Sequence, residues 1–187
     1  MRITGGALKG RIVKVPPGRI RPAMDRMRES IFGVLGDLAG LSFLDLFSGS
    51  GIVALEAASR GAAPVEAVEG DPLKRAVLIE NAALSPLRIQ CRFMAVELYV
   101  RCASRASRVR RAFDLIFCDP PFPYRFKNDL LRGLAASPLV RPGTRILMHR
   151  PAKESVIAAP PLLLRETRLY GRSAVDWWYI DENTALH

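Results

Sequence analysis

The sequence contains little cysteine and histidine. Its 187 residues include three cysteines, Cys91, Cys102 and Cys118, and two histidines, His149 and His187. The cysteines have neither CxxC nor histidine-linked spacing, which argues against a zinc site, and three thiols do not suggest a disulfide framework. We therefore expect no metal centre and a reducing, cytoplasmic location.

Long hydrophobic runs are also missing. The longest candidate, Val156–Leu164, is broken by Pro160 and Pro161 and is far shorter than the about 18 residues that a membrane span needs. The opening residues MRITGGALKG have no apolar core of a secretory signal. We expect no membrane association. The content of 49% hydrophobic and 25% charged residues is typical of a globular protein and excludes wholesale disorder.

The positive charge is unevenly distributed. The formal net charge is +10, made up of +6 in residues 1–30, −5 in residues 31–71 and +9 in the remainder. The basic flanks suggest binding to an anionic macromolecule, and the acidic centre suggests a cationic or polyhydroxylated ligand. A merely arginine-rich, solvated surface is the alternative, and composition alone does not separate the two.

The order of predicted elements indicates an α/β fold. Residues 1–15 predict a short hairpin, followed by a Pro/Gly-rich loop and a helix that Asp25 could cap. After Gly40, strands alternate with helices, which favours a mostly parallel sheet of seven strands with helices on both faces. The last two strands have no helix between them and predict an antiparallel hairpin at one edge. We expect residues 1–24 to form a basic arm and residues 25–187 the main domain.

A glycine-rich turn follows the first predicted strand of that domain. Its pattern Gly49-x-Gly51-x-x-Ala54 allows a tight turn and close approach of a ligand at a helix N-terminus. Glu69 lies about where a dinucleotide-binding fold places its ribose-binding acid. Asp45, inside the preceding strand, would repel a pyrophosphate but suits S-adenosylmethionine, which carries an ammonium and a sulfonium. Hydrogen bonding of Asp45 to nearby backbone amides is the structural alternative, and it would not exclude a cofactor role.

A second motif, Asp119-Pro120-Pro121-Phe122, follows a buried strand. The prolines stiffen the turn and leave their carbonyls as fixed acceptors. An exocyclic amine on a purine is a poor nucleophile, and acceptors from Asp119 and Pro120 could hold both of its N–H bonds while Phe122 stacks on the base. Positioning of this kind supplies much of the acceleration and needs no metal. Cys118 has no basic neighbour and is interpreted as a core residue.

Together these motifs resemble a known family, the bacterial methyltransferases that modify the N2 amine of a guanine in small-subunit (16S) ribosomal RNA. The resemblance rests on the basic segments 2–11 and 21–29 and on the two motifs above. The basic segments separate this family from adenine N6 and glutamine N5 methyltransferases, whose comparable turn usually begins with Asn. The resemblance implies a Rossmann-like class I S-adenosylmethionine-dependent methyltransferase fold.

The resemblance also implies roles for individual residues. The cofactor would be bound by Asp45, Phe47, Gly49, Gly51, Glu69, Met94 and Ala95. The guanine would be received by Asp119, Pro120, Pro121 and Phe122. RNA would be gripped by Lys9, Arg11, Arg21, Arg26 and Arg28, with Tyr124 and Arg125 contacting neighbouring nucleotides. The implied substrate is 16S rRNA within a 30S subunit or an assembly intermediate, and the implied enzyme is a monomer.

The sequence departs from the family pattern at two places. Ala23 and Met24 follow Arg-Pro, where the family usually has Thr, and Met94 stands where a polar residue is expected to bind adenine. Adenine recognition would then depend on backbone groups and apolar packing. Two alternatives remain: an amino-methyltransferase for adenine or a protein amide, and an RNA-binding assembly factor with a disused cofactor fold. The intact acids and glycines argue against disuse.

Overall fold

The computed structural model describes residues 1–15, 22–105, 112–158 and 160–181, without the side chains of residues 22–24. The chain divides into two compact units, Met1–Met94 and Ala95–His187. The described part of the predicted arm, residues 1–15, lies in the first unit. No helix in the described ranges is long and apolar enough to cross a membrane.

The first unit contains three parallel strands in the order β3-β2-β1. Strands β1 and β2 are buried at every position, which is the pattern expected of parallel strands covered on both faces. Helix α2 packs against β1 and β2, and α3 packs against β3. The elements are α1 (Pro22–Leu35), β1 (Phe43–Leu46), α2 (Ile52–Ser59), β2 (Val65–Glu69), a 3₁₀ turn (Pro72–Lys74), α3 (Arg75–Ala82) and β3 (Ile89–Phe93).

Helix α1 begins earlier than its sequence predicts. It starts at Pro22, so Asp25 lies in the first turn rather than at the cap. Proline's fixed φ suits the first helical position and accounts for the earlier start. The Asp25 carboxylate instead accepts a hydrogen bond of 2.9 Å from Arg28.

The second unit contains four strands in the order β4-β5-β7-β6. Strands β4 and β5 are parallel, whereas β7 runs antiparallel to both β5 and β6. All seven predicted strands are therefore present, and the predicted α/β class and the antiparallel hairpin at one edge are confirmed. The elements are α4 (Val96–Arg105), β4 (Leu115–Cys118), α5 (Lys127–Ala135), β5 (Arg145–Pro151), β6 (Leu162–Tyr170) and β7 (Ser173–Ile180).

The N-terminal hairpin is shorter than predicted. Its ladder is a single antiparallel bridge between Arg2 and Ile12, flanked by a hydrogen bond of 2.8 Å from the Val13 N–H to the Met1 carbonyl. Ile3 and Val13 are each only 1% exposed. Apolar burial and contacts with the rest of the first unit, rather than a strand ladder, therefore hold this segment in place.

Candidate functional site

The glycine turn after β1 depends on left-handed backbone conformations. Gly49 and Gly51 have φ values of 58° and 79°, and Gly51 caps the N-terminus of α2. A Cβ on Gly51 would lie 2.6 Å from Cδ1 of Leu78. Phe47 also has a positive φ, 62°, which costs energy for a residue with a side chain and is typical of functional sites. The turn is therefore held in a conformation that few other residues could adopt.

Asp45 sits almost fully buried near the end of β1, with 1% of its surface exposed. Its Oδ2 accepts hydrogen bonds from the Ser48 hydroxyl at 2.5 Å and from the Ala54 backbone N–H at 3.2 Å. These bonds offset the cost of burying the charge. The structural alternative for Asp45, bonding to a nearby backbone amide, is therefore present, and it anchors the carboxylate beside the turn.

Glu69 ends the neighbouring strand β2 and is 6% exposed. Its two oxygens accept hydrogen bonds of 2.7 Å from the backbone N–H groups of Gly49 and Asp71. Asp71 in turn caps the 3₁₀ turn by accepting from the Leu73 N–H at 3.0 Å, as expected for an N-cap. Glu69 thus fixes the glycine turn from the adjacent strand.

These residues suit a ligand that carries an ammonium and a ribose. Two anchored carboxylates lie on adjacent parallel strands, Asp45 near the end of β1 and Glu69 at the end of β2, and carboxylate oxygens accept hydrogen bonds from ammonium and hydroxyl groups. Space lies open over Gly49, where an added Cβ would meet nothing closer than the Phe47 carbonyl at 4.0 Å. The two carboxylate acceptors and the open glycine therefore fit the expected cofactor.

The predicted adenine-binding residues follow strand β3. The Met94 N–H donates to the Glu69 carbonyl at 3.1 Å, and its side chain is half-buried. Ala95 is exposed, and its carbonyl accepts the first hydrogen bond of α4 from the Tyr99 N–H. A role of either residue in binding adenine stays a prediction.

The predicted RNA-binding residues differ in accessibility. Lys9, Arg11, Arg26 and Arg125 are exposed, and Arg21 lies outside the described residues. Arg28 differs from its predicted role because it is 4% exposed and its guanidinium bonds Glu56, Asp25 and the Arg2 carbonyl. A guanidinium so engaged is not available to phosphate, so we assign Arg28 to the interior of the first unit.

The centre of that interior network is Glu56, which is fully buried on α2. Its carboxylate accepts from Arg28 Nε at 3.0 Å and from the Thr4 N–H at 2.8 Å, and it also pairs with Arg60. Nearby, Ser59 accepts from the Leu8 N–H at 2.8 Å through its hydroxyl. The basic arm is therefore docked on α2 by buried polar contacts that sequence reasoning missed.

Asn81 joins the arm to the glycine turn. It is 1% exposed, and its amide nitrogen donates to the carbonyls of Lys14 and Ser50, both at 2.8 Å. Its oxygen accepts from the Lys14 N–H at 3.0 Å. One side chain on α3 thus contacts both the arm and the glycine turn.

The Asp-Pro-Pro-Phe turn lies in the second unit, directly after β4. Pro120 is buried and Pro121 is exposed, and the Pro121 carbonyl accepts from the Tyr124 N–H at 2.8 Å. The Asp119 side chain is 21% exposed, and its Oδ1 lies 2.6 Å from Nδ1 of His149. The His149 ring also meets the Phe122 ring edge-on at 5.5 Å between centroids. His149 therefore contacts two of the four predicted catalytic residues.

The segment after this turn is anchored by a buried lysine. Lys127 is 1% exposed, and its ammonium donates to both oxygens of Glu154, at 2.9 and 3.1 Å, and to the Tyr124 carbonyl. Burial and a hydrogen bond with Glu97 raise the pKa of the Tyr124 phenol above its usual value. The phenol is thus engaged with protein, while the neighbouring Phe126 is 60% exposed. A nucleotide contact by Tyr124 or Arg125 stays a prediction.

No group of three or more His, Cys, Asp or Glu side chains suited to a metal ion occurs in the described ranges. The three cysteines are free thiols, with Cys102 exposed, Cys91 half-buried and Cys118 buried. Burial raises the pKa of the Cys91 thiol.

Comparison with known proteins decides the family. Residues 1–179 match the family described as "Conserved hypothetical protein 95". The chain belongs to this family. The family prediction made from the two motifs and the basic segments is therefore confirmed.

Relatives of the chain carry methyltransferase names. It is 36% identical over 125 residues to ribosomal RNA small subunit methyltransferase D of Escherichia coli K12, a match that covers 65% of this chain and 60% of that protein. It is 34% identical over 140 residues to the protein named "Putative rRNA methyltransferase YlbH" of Bacillus subtilis, covering 72% and 71% respectively. The chain thus spans about 60% of the length of the E. coli relative.

Solved structures share the fold. Hypothetical protein TTHA0928 of Thermus thermophilus is 31% identical with a TM-score of 0.79, covering 97% of this chain and 99% of that one. SMU.776, described as "a putative methyltransferase complexed with SAH", is 18% identical with a TM-score of 0.67, covering 86% of this chain and 50% of that one. The predicted class I methyltransferase fold is confirmed.

Proposed function

We propose that this chain transfers a methyl group from S-adenosylmethionine to the exocyclic N2 amine of a guanine in 16S ribosomal RNA. The observation that carries the proposal is the Asp119-Pro-Pro-Phe turn, with its fixed and partly exposed carboxylate, in a member of this family. The names of the E. coli and B. subtilis relatives support ribosomal RNA as the substrate.

The first unit provides the residues to hold the methyl donor. Asp45 and the glycine turn would take the methionine end, and Glu69 would accept hydrogen bonds from the ribose hydroxyls. Met94 and Ala95 would border the adenine. When bound, this cofactor supplies a methyl group carried on a positively charged sulfur, and transfer of the methyl group to the amine nitrogen leaves that sulfur as a neutral thioether.

Asp119 would hold the amine and take up charge. An amine conjugated to a purine ring has a delocalised lone pair. Hydrogen-bond acceptors for its two N–H groups favour a pyramidal nitrogen, whose lone pair is available to attack the methyl group. Asp119 and the Pro120 carbonyl supply these acceptors, and Phe122 stacks on the base. Methylation makes the nitrogen cationic, and its surplus proton then leaves to the Asp119 carboxylate or to water. A nearby carboxylate therefore stabilises the charge as it develops.

The carboxylate also favours guanine over adenine. Guanine presents two kinds of donor on one edge, the N1–H and the N2 amine, and a carboxylate only accepts. Adenine presents an acceptor, N1, beside its N6 amine, and a protein amide presents its own carbonyl oxygen. Both suit an asparagine side chain, which offers one donor and one acceptor. Asp119 at the first position of the turn thus supports guanine as the methylated base.

The exposed cations of the arm and of helix α1 would bind the RNA backbone. Lys9, Arg11 and Arg26 are solvent-exposed, and Arg125 follows the catalytic turn in the second unit. Arginine contacts phosphate in a bidentate manner and stacks on unpaired bases. We further propose that the substrate is 16S rRNA within a 30S subunit or an assembly intermediate and that the enzyme acts as a monomer in the cytoplasm.

Replacement of Asp119 tests the catalytic assignment. Asp119→Ala should slow methyl transfer to 16S rRNA by about 100-fold or more, because it removes an acceptor aimed at developing charge. Its affinity for S-adenosylhomocysteine, measured by calorimetry, should stay close to that of the wild type. The matched control is Asp114→Asn, at the opposite end of the same strand, where the aspartate pairs with Arg141. Full activity in Asp119→Ala would rule out the role.

A further inference from the structure

We propose that His149 is a positioning residue that fixes the Asp119 carboxylate and packs against the Phe122 ring. This inference rests on the proposed function, in which Asp119 and Phe122 receive the base. His149 belongs to neither motif, and its sequence context gives no sign of a catalytic role.

Parallel pairing places the two side chains together. Cys118 of β4 is opposite Met148 of β5 in the parallel pair. The residues that follow them in sequence, Asp119 and His149, are therefore neighbours at the same edge of the sheet. The distance from His149 Nδ1 to Asp119 Oδ1 is 2.6 Å, a short contact, as hydrogen bonds to a charged acceptor are. The His149 side chain is 3% exposed, whereas that of Asp119 is 21% exposed. A buried ring thus holds a carboxylate that solvent reaches.

The direction of this hydrogen bond follows from its chemistry. A carboxylate only accepts, so Nδ1 carries the proton and donates. The other ring nitrogen, Nε2, is buried and has no hydrogen-bond partner among the residues that the structure describes. Within the described ranges, the bond to Asp119 is therefore the one hydrogen bond that this ring makes.

The consequence is a carboxylate with restricted rotation. With Oδ1 held by His149, Oδ2 and the Pro120 carbonyl remain as the proposed acceptors for the substrate amine. The edge-on contact with the Phe122 ring, at 5.5 Å and 61°, limits that ring as well. Preorganised acceptors need no rearrangement during reaction, and removal of His149 should therefore lower turnover more than binding.

Three substitutions separate positioning from packing. Asn places its amide nitrogen near the position of histidine Nδ1, Gln places it near Nε2, and Leu offers no donor. His149→Leu should lower kcat about 10- to 100-fold, as expected for loss of a hydrogen bond to a charged group, with little change in KM for RNA. His149→Asn should recover most of the loss and His149→Gln little of it. Recovery by Gln equal to or better than that by Asn would indicate a packing role and overturn the proposal.

Coupling to Asp119 provides a second test. If His149 acts through Asp119, the double variant Asp119→Ala/His149→Leu should be no slower than Asp119→Ala alone. A further loss as large as that of His149→Leu in the wild-type background would contradict the proposal. Melting temperatures and S-adenosylhomocysteine affinities of all variants show whether each is folded.

A third readout does not depend on the proposed function. The chain has two histidines, so ¹⁵N-histidine labelling with a His187→Gln variant assigns the His149 ring by NMR. We expect a protonated Nδ1 in the wild type and a changed Nδ1–H resonance in Asp119→Ala. An Nδ1 without a proton would overturn the proposal whatever the substrate. A wild type that methylates a different nucleoside, with this resonance present, would instead refute only the guanine assignment.

Discussion

The Glu69 carboxylate accepts a hydrogen bond of 2.7 Å from the backbone N–H of Gly49, 20 residues earlier in the chain. The acid proposed to bind the ribose therefore also holds the turn proposed to bind the methionine end of the cofactor. Its second oxygen holds the Asp71 N–H at 2.7 Å, which fixes the start of the following 3₁₀ turn. If Glu69 binds the ribose as proposed, cofactor affinity and turn geometry both depend on this one buried side chain.

Glu69→Gln tests that dependence. Glutamine has one acceptor oxygen, so one of the two backbone N–H groups would face an NH₂ group instead. We expect the Kd for S-adenosylhomocysteine to rise about tenfold or more, as for the loss of a hydrogen bond to a charged group. Calorimetry measures this directly. The control is Glu66→Gln on the same strand, where Glu66 bonds Arg92 at 2.7 Å and the affinity should not change. Equal affinity in both variants would contradict the role of Glu69.

Glu56 should contribute strongly to stability. It is fully buried between Arg28 and Arg60, whose side chains are 5% and 11% exposed. Glu56→Gln removes the carboxylate shared by two poorly solvated guanidinium groups and leaves Arg28 with Asp25 as its acidic partner, and we expect the free energy of unfolding to fall by about 3–5 kcal/mol. Urea denaturation followed by circular dichroism measures the change.

The matched control for Glu56 is an exposed ion pair. Glu80 pairs with Lys14 on the surface of the same unit, with 56% and 65% of the side chains exposed. Glu80→Gln should cost no more than about 1 kcal/mol, because solvent screens such pairs. Similar losses in the two variants would show that the buried network does not anchor the arm as described.

These networks show where sequence reasoning succeeds and where it stops. The glycine turn and Asp45 were predictable because their partners lie within a few residues or follow from a known strand-turn-helix geometry. Arg28 was predicted to contact RNA because its sequence neighbours are basic. Its actual partner, Glu56, is 28 residues away, and only the folded chain brings them together.

The basic arm, together with Arg26 of helix α1, should determine the salt dependence of RNA binding. Replacing Lys9, Arg11 and Arg26 together by Ala should weaken binding. It should also reduce the slope of log K against log salt by about 0.7 for each phosphate of single-stranded RNA that the variant no longer neutralises. Filter binding from low to high salt gives the slope.

Removal of the same charge elsewhere is the control for the arm. Arg132, Lys153 and Arg165 are exposed in the second unit, and their joint replacement by Ala should leave most of the slope intact. An unchanged slope in the arm variant, or an equal reduction in the control, would argue against the arm as the RNA-binding element.

The three thiols should react in a fixed order. Cys102 is exposed, Cys91 is half-buried with a raised pKa and therefore less thiolate near neutral pH, and Cys118 is fully buried. Ellman's reagent should modify Cys102 first, then Cys91, and Cys118 only on unfolding.

Cys118→Ala should retain most methyl transfer, because Cys118 is interpreted as a core residue. A loss like that of Asp119→Ala would instead indicate a nucleophilic cysteine.

His149 could have been found by a stricter use of topology. The sequence predicts strands ending at Cys118 and near His149, and parallel neighbours bring their carboxyl ends to one edge. The predicted sheet did not specify that β4 and β5 are paired or in which register, and a shift of one residue would point the histidine to the other face. Register depends on packing across the whole sheet, which local sequence does not encode.

The most direct test of the central claim is the identity of the methylated nucleoside. The purified chain is incubated with a methyl-deuterated S-adenosylmethionine and with 30S subunits or naked 16S rRNA from a strain that lacks this protein. Nucleosides from the digested RNA are then separated and identified by mass spectrometry, with Asp119→Ala as the inactive control. We predict deuterated N2-methylguanosine from a single position. Label in N6-methyladenosine or in ribosomal protein, or no label in either substrate, would contradict it.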